Sequence, residues 1–391
     1  MKQAVILAAG EGQRLRPFTA TKPKVMLTIA GKPILQYVVE SLARRGIRNI
    51  VLVVGYRRQQ IFDSVGSGEE LGVEITYVTQ EKQLGTAHAL AQAKAKVDKE
   101  FLVLPGDNLI DADTIACLES LTPDAMLVKR VDNPLRYGVV TLAESAVKDI
   151  TEKPKEAASN IVNTGIYAFT RKIFDFIESE LDIPDVLNKM IAQGHQVRAR
   201  ETDSTWLDVA YPWDILSLNS IVLPRIPASL GGIIETGASL KGLVSVGKDT
   251  VIRSNCYISG PVVIGTGCEI GPNACILPAT SIGNNVVISP FTEIKNSVIG
   301  NDVSLGPGCF IQDSVIDRGS IIEGQFTAFS RQAEVKIDDE HHSVSVGAML
   351  GEDCQIGSGV VAQSGVVVGN HSQIQALKII SGRLPDRSLV I

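Results

Sequence analysis

Hydrophobic and polar positions along this chain follow two different rhythms. Up to about residue 220, β-branched runs alternate with amphipathic segments: AVILAAG, then PILQYVVESLARRG, then NIVLVVG, with further strand candidates in EITYVTQ, FLVLPGDN and AMLVKRV. Such alternation predicts an α/β domain with a largely parallel sheet, whose ligand lies at the carboxyl ends of the strands. Two loops leave such ends: the glycine-rich turn after the first strand, and PGDN at 105–108.

Beyond residue 232 the period becomes six. Val246, Ile252, Ile258, Ile264, Ile270, Ile276, Ile282, Ile288 and Ile294 form one strict ladder. Five-residue steps from Ile294 to Ile299 and from Ile311 to Ile316 interrupt it, and it is expected to resume at Val344, Leu350, Ile356, Ala362, Val368 and Ile374. A hexapeptide period predicts a parallel β-helix, in which each short strand buries one aliphatic residue and stacked coils share a core. The expected domains are therefore 1–230 and 231–391. The stretch from about 325 to 343 breaks the ladder and is expected to project as an arm, with His341 and His342 facing solvent rather than a metal, since no third ligand stands at a suitable spacing.

Composition narrows the function classes. With 391 residues, 45% hydrophobic and 20% charged, the chain has the make-up of two ordinary globular domains. A net charge of −6 leaves no basic patch to replace phosphate counterions, which argues against a nucleic-acid partner. The AVILAAG run is too short to span a membrane and leads into charged residues, so no membrane partner and a cytoplasmic location are expected. Six cysteines include no C-x-x-C pair, which disfavours zinc and a disulfide framework. Cys256, Cys268, Cys309 and Cys354 occupy the fifth hexad position, where small residues stand elsewhere, and are read as small core residues.

Residues 3–24, QAVILAAGEGQRLRPFTATKPK, carry the first candidate chemistry. Gly10 and Gly12 after a strand allow backbone N–H groups to approach a phosphate chain, and Arg14 and Lys24 supply fixed positive charge. A nucleoside triphosphate is the expected ligand. No G-K-[ST] follows for a Walker A loop and no third glycine for a dinucleotide fingerprint. By itself the segment equally fits a surface loop with solvated cations.

GEGQRLRPFTATKPKVMLTIAGKPIL resembles the signature of sugar-1-phosphate nucleotidylyltransferases, and QEKQLGTAHAL, PGDN, YGVV, ITEKPK, VNTGIYAF and TWLDVAYPWDIL follow in that family's order. The resemblance extends to archaeal-type two-domain enzymes, and implies a Rossmann-like nucleotidyltransferase domain followed by a left-handed β-helix with three hexads per coil. It implies attack of a sugar 1-phosphate oxygen on the α-phosphorus of a nucleoside triphosphate, with pyrophosphate leaving. By the same resemblance, Ala8, Ala9 and Gly10 hold the nucleoside, Gly12 and Arg14 cradle the triphosphate, and Lys24 binds the α-phosphate and the sugar phosphate. Gln80 reads the base edge beside Gly85 and Thr86, and an amide suits the imide of uracil or thymine. His88 is read as a helix-start packing residue. The resemblance implies that Asp107 and Asp208 share a Mg²⁺ ion, the alternative being that one of them caps a helix. Gly138, Glu152 and Asn163, with Thr164, Gly165 and Tyr167, form the sugar pocket, and Lys153 meets the sugar phosphate. UTP and dTTP, and N-acetylglucosamine and glucose 1-phosphate, stay open.

Bifunctional relatives use the β-helix to acetylate glucosamine 1-phosphate with acetyl-CoA. Their catalytic His and Tyr align with Pro307 and Phe310, neither of which can transfer a proton. Their Asn-Leu-Arg aligns with Phe329, Ser330 and Arg331. Acetyl-CoA is therefore not the expected cofactor, and the β-helix is expected to serve assembly as a homotrimer or a dimer of trimers. A bifunctional enzyme and a catalytically silent regulatory subunit are the alternatives. Joint retention of Arg14, Lys24, Asp107 and Asp208 argues against silence.

Overall fold

The structure, a computed structural model, describes residues 1–119, 123–178, 180–338 and 340–391. The chain divides into two compact units, one of residues 1–11, 21–27 and 33–208, the other of residues 12–20, 28–32 and 209–391.

The first unit is built on a nine-stranded sheet in the order Glu74–Thr79, Asn49–Val54, Gln3–Ala8, Glu100–Pro105, Ile161–Thr170, Ala125–Arg130, Arg198–Glu201, Ala146–Glu152 and Gly138–Ala143. The first four strands are parallel, as the alternating pattern predicts. The rest of the sheet is mixed: Ile161–Thr170 runs antiparallel to both neighbours, and the last pair forms an antiparallel ribbon. The two-residue connection within that last pair permits antiparallel pairing without a crossover helix, which the largely parallel expectation did not allow for.

The described residues include the α-helices α1 Ile34–Arg44, α2 Arg58–Val65, α3 Thr86–Gln92, α4 Ala112–Glu119, α5 Ile183–Ala192 and α6 Asp214–Val222. α1 shows why the pattern works: Ile34, Leu35, Val38, Val39 and Leu42 repeat on one face and are buried. Gly46, at a φ of 77°, follows its end in the left-handed region. Gln3–Ala8 lies between Asn49–Val54 and Glu100–Pro105, so the loops after Ala8 and Pro105 leave adjacent parallel strands at the same end. Gly106 N donates to Leu7 O at 2.9 Å, holding the two exits together.

The second unit is a left-handed β-helix. Its three parallel sheets have nine, nine and eight strands, and every strand pairs with one a full coil away. Val244 pairs with Val262 and Val262 with Thr280, an 18-residue coil. Val298 pairs with Val315, a coil shortened to 17 by the five-residue steps. The hexad ladder forms the core from Val246 onward, together with buried Cys256, Cys268, Cys309 and Cys354.

Two boundaries differ from the sequence expectation. Phe326 and Ala328 are fully buried in the coil, so the arm is the antiparallel hairpin of Arg331–Ile337 and Glu340–Val346. Val344 belongs to that hairpin, and the core ladder resumes at Leu350. A volume exchange hides the coil: Phe326 stands where smaller residues fill the fifth position, and Ala328 where the ladder carries isoleucine. Within the arm stretch, Asp339 lies outside the described residues. His341 is exposed, as expected, whereas His342 packs against the rings of Tyr211 and Trp213, with centroids 4.3 and 5.5 Å away. Its neighbour Glu340 accepts from the Tyr211 hydroxyl at 3.0 Å. An imidazole finding two aromatic faces leaves solvent, which the polar sequence around it did not signal.

Candidate functional site

Asp107 and Asp208 are brought together by a short antiparallel ribbon. Asp208 pairs with Asn108 and Trp206 with Ile110, so residues a hundred positions apart become cross-strand neighbours. Lys24 stands at the start of a single helical turn, Lys24–Met26, and its ammonium reaches both carboxylates: it pairs with Asp107 Oδ2, and donates to Asp208 Oδ1 at 3.2 Å. Burial alone pushes the Lys24 ammonium toward deprotonation. The facing charges of Asp107 and Asp208 outweigh it and hold the group above its ordinary range, so Lys24 is a permanent cation. Two carboxylates that converge on one cation form a hard-oxygen donor pair of the kind that suits Mg²⁺.

The glycine turn leaves the buried Ala8 and Ala9 and opens at Gly10, where an added Cβ would meet nothing within 4 Å. Gly12 has a φ of 78°, in the left-handed region, and precedes the turn Gln13–Leu15. Thr19 Oγ1 donates to Gly12 O at 2.7 Å and fixes the loop. Arg14 projects from that turn with 43% of its side chain exposed, and its Nε lies 3.8 Å from Oδ2 of Asp338 in the arm.

Gln80 is 2% exposed. Its Nε2 donates to Gly85 O at 3.1 Å and lies 2.8 Å from His88 Nδ1. Gly85 is required by close approach, since a Cβ there would stand 2.4 Å from Leu181 O. Thr86 begins α3, and both its N–H and Oγ1 donate to Asp182 Oδ1, at 2.9 and 3.1 Å. Thr86 Oγ1 in return accepts from Ile183 N at 2.9 Å, so two helix starts lock each other. Asp182 is a site-supporting residue that sequence reasoning missed. Its signal was the N-cap position immediately before the Ile-Pro of α5.

Gly138 and Glu152 face each other in register, and an added Cβ at Gly138 would stand 2.9 Å from Glu152 Oε2 and 3.6 Å from Asn163 Cβ. Partial desolvation raises the Glu152 carboxyl above its ordinary range, against the opposing charge of Lys153, whose Nζ lies 3.8 Å from Glu152 Oε1. Asn163 Nδ2 donates to Tyr167 Oη at 2.7 Å, and its Oδ1 accepts from Gly165 N at 2.9 Å. Thr164 is buried, with Oγ1 donating to Leu127 O at 2.7 Å, while Trp206 Nε1 donates to Thr164 O at 2.9 Å. Thr164 and Tyr167 thus hold the turn in shape, beside Gly138, Glu152, Lys153 and the Asn163 amide. Trp206 ties this turn to the ribbon carrying Asp208.

In the β-helix, Pro307 lies in a coil corner, where its carbonyl accepts from Gln325 N at 2.8 Å, and Phe310 opens the following strand with its ring partly exposed. Neither carries an ionisable group.

A family model described as nucleotidyl transferase matches residues 3–223, and one described as the GMPPB C-terminal domain matches residues 258–375. The chain is 33% identical to a bifunctional protein GlmU of Methanococcus maripaludis, over 99% of this chain and 96% of that one. It is 32% identical to a bifunctional sugar-1-phosphate nucleotidylyltransferase/acetyltransferase of Sulfurisphaera tokodaii, over 95% of each. A solved structure assigned as a glucose-1-phosphate thymidylyltransferase of Bacillus anthracis, in complex with a sucrose, superposes with a TM-score of 0.52 at 29% identity, covering 56% of this chain and 94% of that one. A family model spanning more than half the chain and relatives aligned almost end to end lead to one assignment: the chain belongs to the nucleotidyl transferase family.

Proposed function

We propose that the protein is a Mg²⁺-dependent sugar-1-phosphate nucleotidylyltransferase that joins UTP or dTTP to N-acetylglucosamine or glucose 1-phosphate and releases pyrophosphate. The observation that carries this reading is Lys24 held between Asp107 and Asp208. The nucleophile is a phosphate monoester, whose second pKa of about 6 makes it an anion at neutral pH, so no general base is needed. Catalysis then reduces to aligning two anions and offsetting their repulsion.

Lys24 supplies a fixed positive charge for the α-phosphorus as negative charge develops there, and Arg14 offers a planar fork to two phosphate oxygens. Gly10 and Gly12 let backbone N–H groups reach the triphosphate, with Ala8 and Ala9 against the nucleoside. Gln80, Gly85 and Thr86 form the base subsite. Gly138, Glu152 and Asn163 take sugar hydroxyls, braced by Thr164 and Tyr167, and Lys153 takes the sugar phosphate. Asp107 and Asp208 would hold Mg²⁺, which when bound supplies further neutralisation of the phosphate charge.

The β-helix is assigned to assembly of a homotrimer or dimer of trimers. Pro307 and Phe310, which cannot move a proton, support this over an acetyltransferase. The protein acts without a nucleic-acid or membrane partner, in the cytoplasm. Among the described residues no helix is long and apolar enough to cross a membrane.

The test is pyrophosphate release by the purified full chain with Mg²⁺, across UTP, dTTP, CTP, GTP and ATP against several sugar 1-phosphates. Release with UTP or dTTP and a hexose or N-acetylhexosamine 1-phosphate is expected. No release with any pair would sink the reading.

A further inference from the structure

We infer that His88 is a positioning residue that sets the direction of the Gln80 carboxamide, and through it selects uracil or thymine over cytosine. The inference rests on the pyrimidine nucleotidyltransfer proposed above and assigns a role to a side chain that sequence reasoning left to packing.

The argument starts from hydrogen-bond capacity. A carboxamide has two hydrogens on nitrogen and lone pairs only on oxygen. Gly85 O can only accept, so the amide end facing it at 3.1 Å is the NH₂ end. The same nitrogen lies 2.8 Å from His88 Nδ1. Both hydrogens are then engaged, and His88 Nδ1 must present a lone pair, which places the ring proton on Nε2. That second nitrogen lies 3.5 Å from Nε2 of the exposed Gln92, which donates to His88 O at 3.2 Å, so the shorter 2.8 Å contact at Nδ1 sets the tautomer.

The remaining atom is Gln80 Oε1. Among the described residues no donor is assigned to it, on a side chain that is 2% exposed. A fixed acceptor in a base subsite favours an N3–H, which uracil and thymine carry. Cytosine offers a lone pair at N3 and is repelled. Were His88 to lose its acceptor, only the longer bond to Gly85 O would hold the amide, and reversal would turn NH₂ toward the base. α3 fixes the distance: His88 sits two residues after Thr86, whose N–H and hydroxyl are clamped by Asp182. A site built on specific hydrogen bonds discriminates strongly because the wrong base leaves buried polar atoms unpaired.

The experiment measures kcat/KM of the full chain for UTP, dTTP and CTP, in wild type, His88→Leu and His88→Asn. The wild type is expected to favour UTP or dTTP over CTP by at least about a hundredfold. His88→Leu should cut that ratio at least about tenfold. His88→Asn, whose side-chain oxygen can accept near the Nδ1 position, should restore it to within about threefold. A merely structural histidine would lower activity with all three nucleotides alike and leave the ratio unmoved. Long-range ¹⁵N–¹H correlation spectra of the histidines, with His88 identified by its loss in His88→Asn, should show the proton on Nε2; they decide the matter independently if His88→Leu does not fold. A proton on Nδ1, or an unchanged ratio in folded His88→Leu, overturns the inference while leaving nucleotidyltransfer intact. A wild type indifferent between UTP, dTTP and CTP overturns the pyrimidine reading and this inference with it.

Discussion

The Lys24 ammonium donates to Asp208 Oδ1 at 3.2 Å across 184 residues of chain. Asp107 completes the contact from the loop after a central strand. The three groups share one site because the two-residue loop Gly106–Asp107, a single helical turn and a two-stranded ribbon converge, and the excess negative charge keeps the lysine protonated. Lys24→Met should therefore lower kcat about 10²–10³-fold, the range for removing one preorganised stabiliser of developing charge. KM for the nucleotide should move far less. Single-turnover pyrophosphate release checks it, and a loss below about threefold would remove Lys24 from the mechanism.

Removal of the metal gives the second expectation. Chelation should abolish pyrophosphate release and added Mg²⁺ should restore it, while Asp107→Asn and Asp208→Asn should each raise the Mg²⁺ concentration for half-activity at least about tenfold. Circular dichroism of both variants should match the wild type, since each carboxylate is only partly buried. A metal response unaltered in both variants would place the ion elsewhere.

Thiol chemistry reports on the β-helix. Cys256, Cys268, Cys309 and Cys354 are buried, while Cys117 and Cys275 are partly accessible. Burial pushes the Cys354 thiol from 9.0 up to about 11. In the native state a chromogenic disulfide reagent should therefore modify at most Cys117 and Cys275, and all six cysteines after denaturation. The linkage sign follows from the raised value. The folded state keeps the Cys354 proton longer than the unfolded state, so this thiol's contribution is complete below pH 9 and is lost as pH rises through about 11. Replacing Cys354 by Ser should flatten the loss of thermal stability over that window.

Phe326 and Ala328 predict a coupled pair. Phe326→Cys should destabilise by about 2–4 kcal/mol through the cavity it leaves, and Ala328→Ile by about 1–3 kcal/mol through overpacking. The double variant reproduces the Cys309–Ile311 arrangement of the preceding coil and should recover at least half of the summed loss. Denaturant unfolding of the full chain followed at the β-helix transition measures it. Strict additivity would mean that the two side chains do not exchange volume.

Much of the fold was legible because its signals are local and repeated. The ladder from Val246 to Ile294 depends on a six-residue spacing that reappears in every coil, and the shortened coils announce themselves in KNSVIG and QDSVID. Phe326 was misread because volume is conserved over a pair of positions, whereas a ladder tests one position at a time. The arm's true limits, Arg331 and Val346, were hidden for the same reason: Val344 continues the count by coincidence of spacing while pairing across a hairpin. Arg14, Lys24, Asp107, Asp208 and Gln80 could be named from their blocks. Asp182 and His88 could not be given roles, since what they do depends on the atoms they meet.

The sequence by itself determined the two rhythms, and with them an α/β unit and a β-helix, because apolar periodicity decides which face of each element leaves water. It also supplied the candidate residues for phosphate, metal and base. Tertiary structure alone decided that Lys24 stands between Asp107 and Asp208, that Thr164 and Tyr167 brace a turn, and that His342 packs on Tyr211 and Trp213. It likewise decided that Gln80 spends its amide hydrogens inside the protein. Those outcomes depend on direction and distance between groups far apart in the chain, and a linear pattern carries neither.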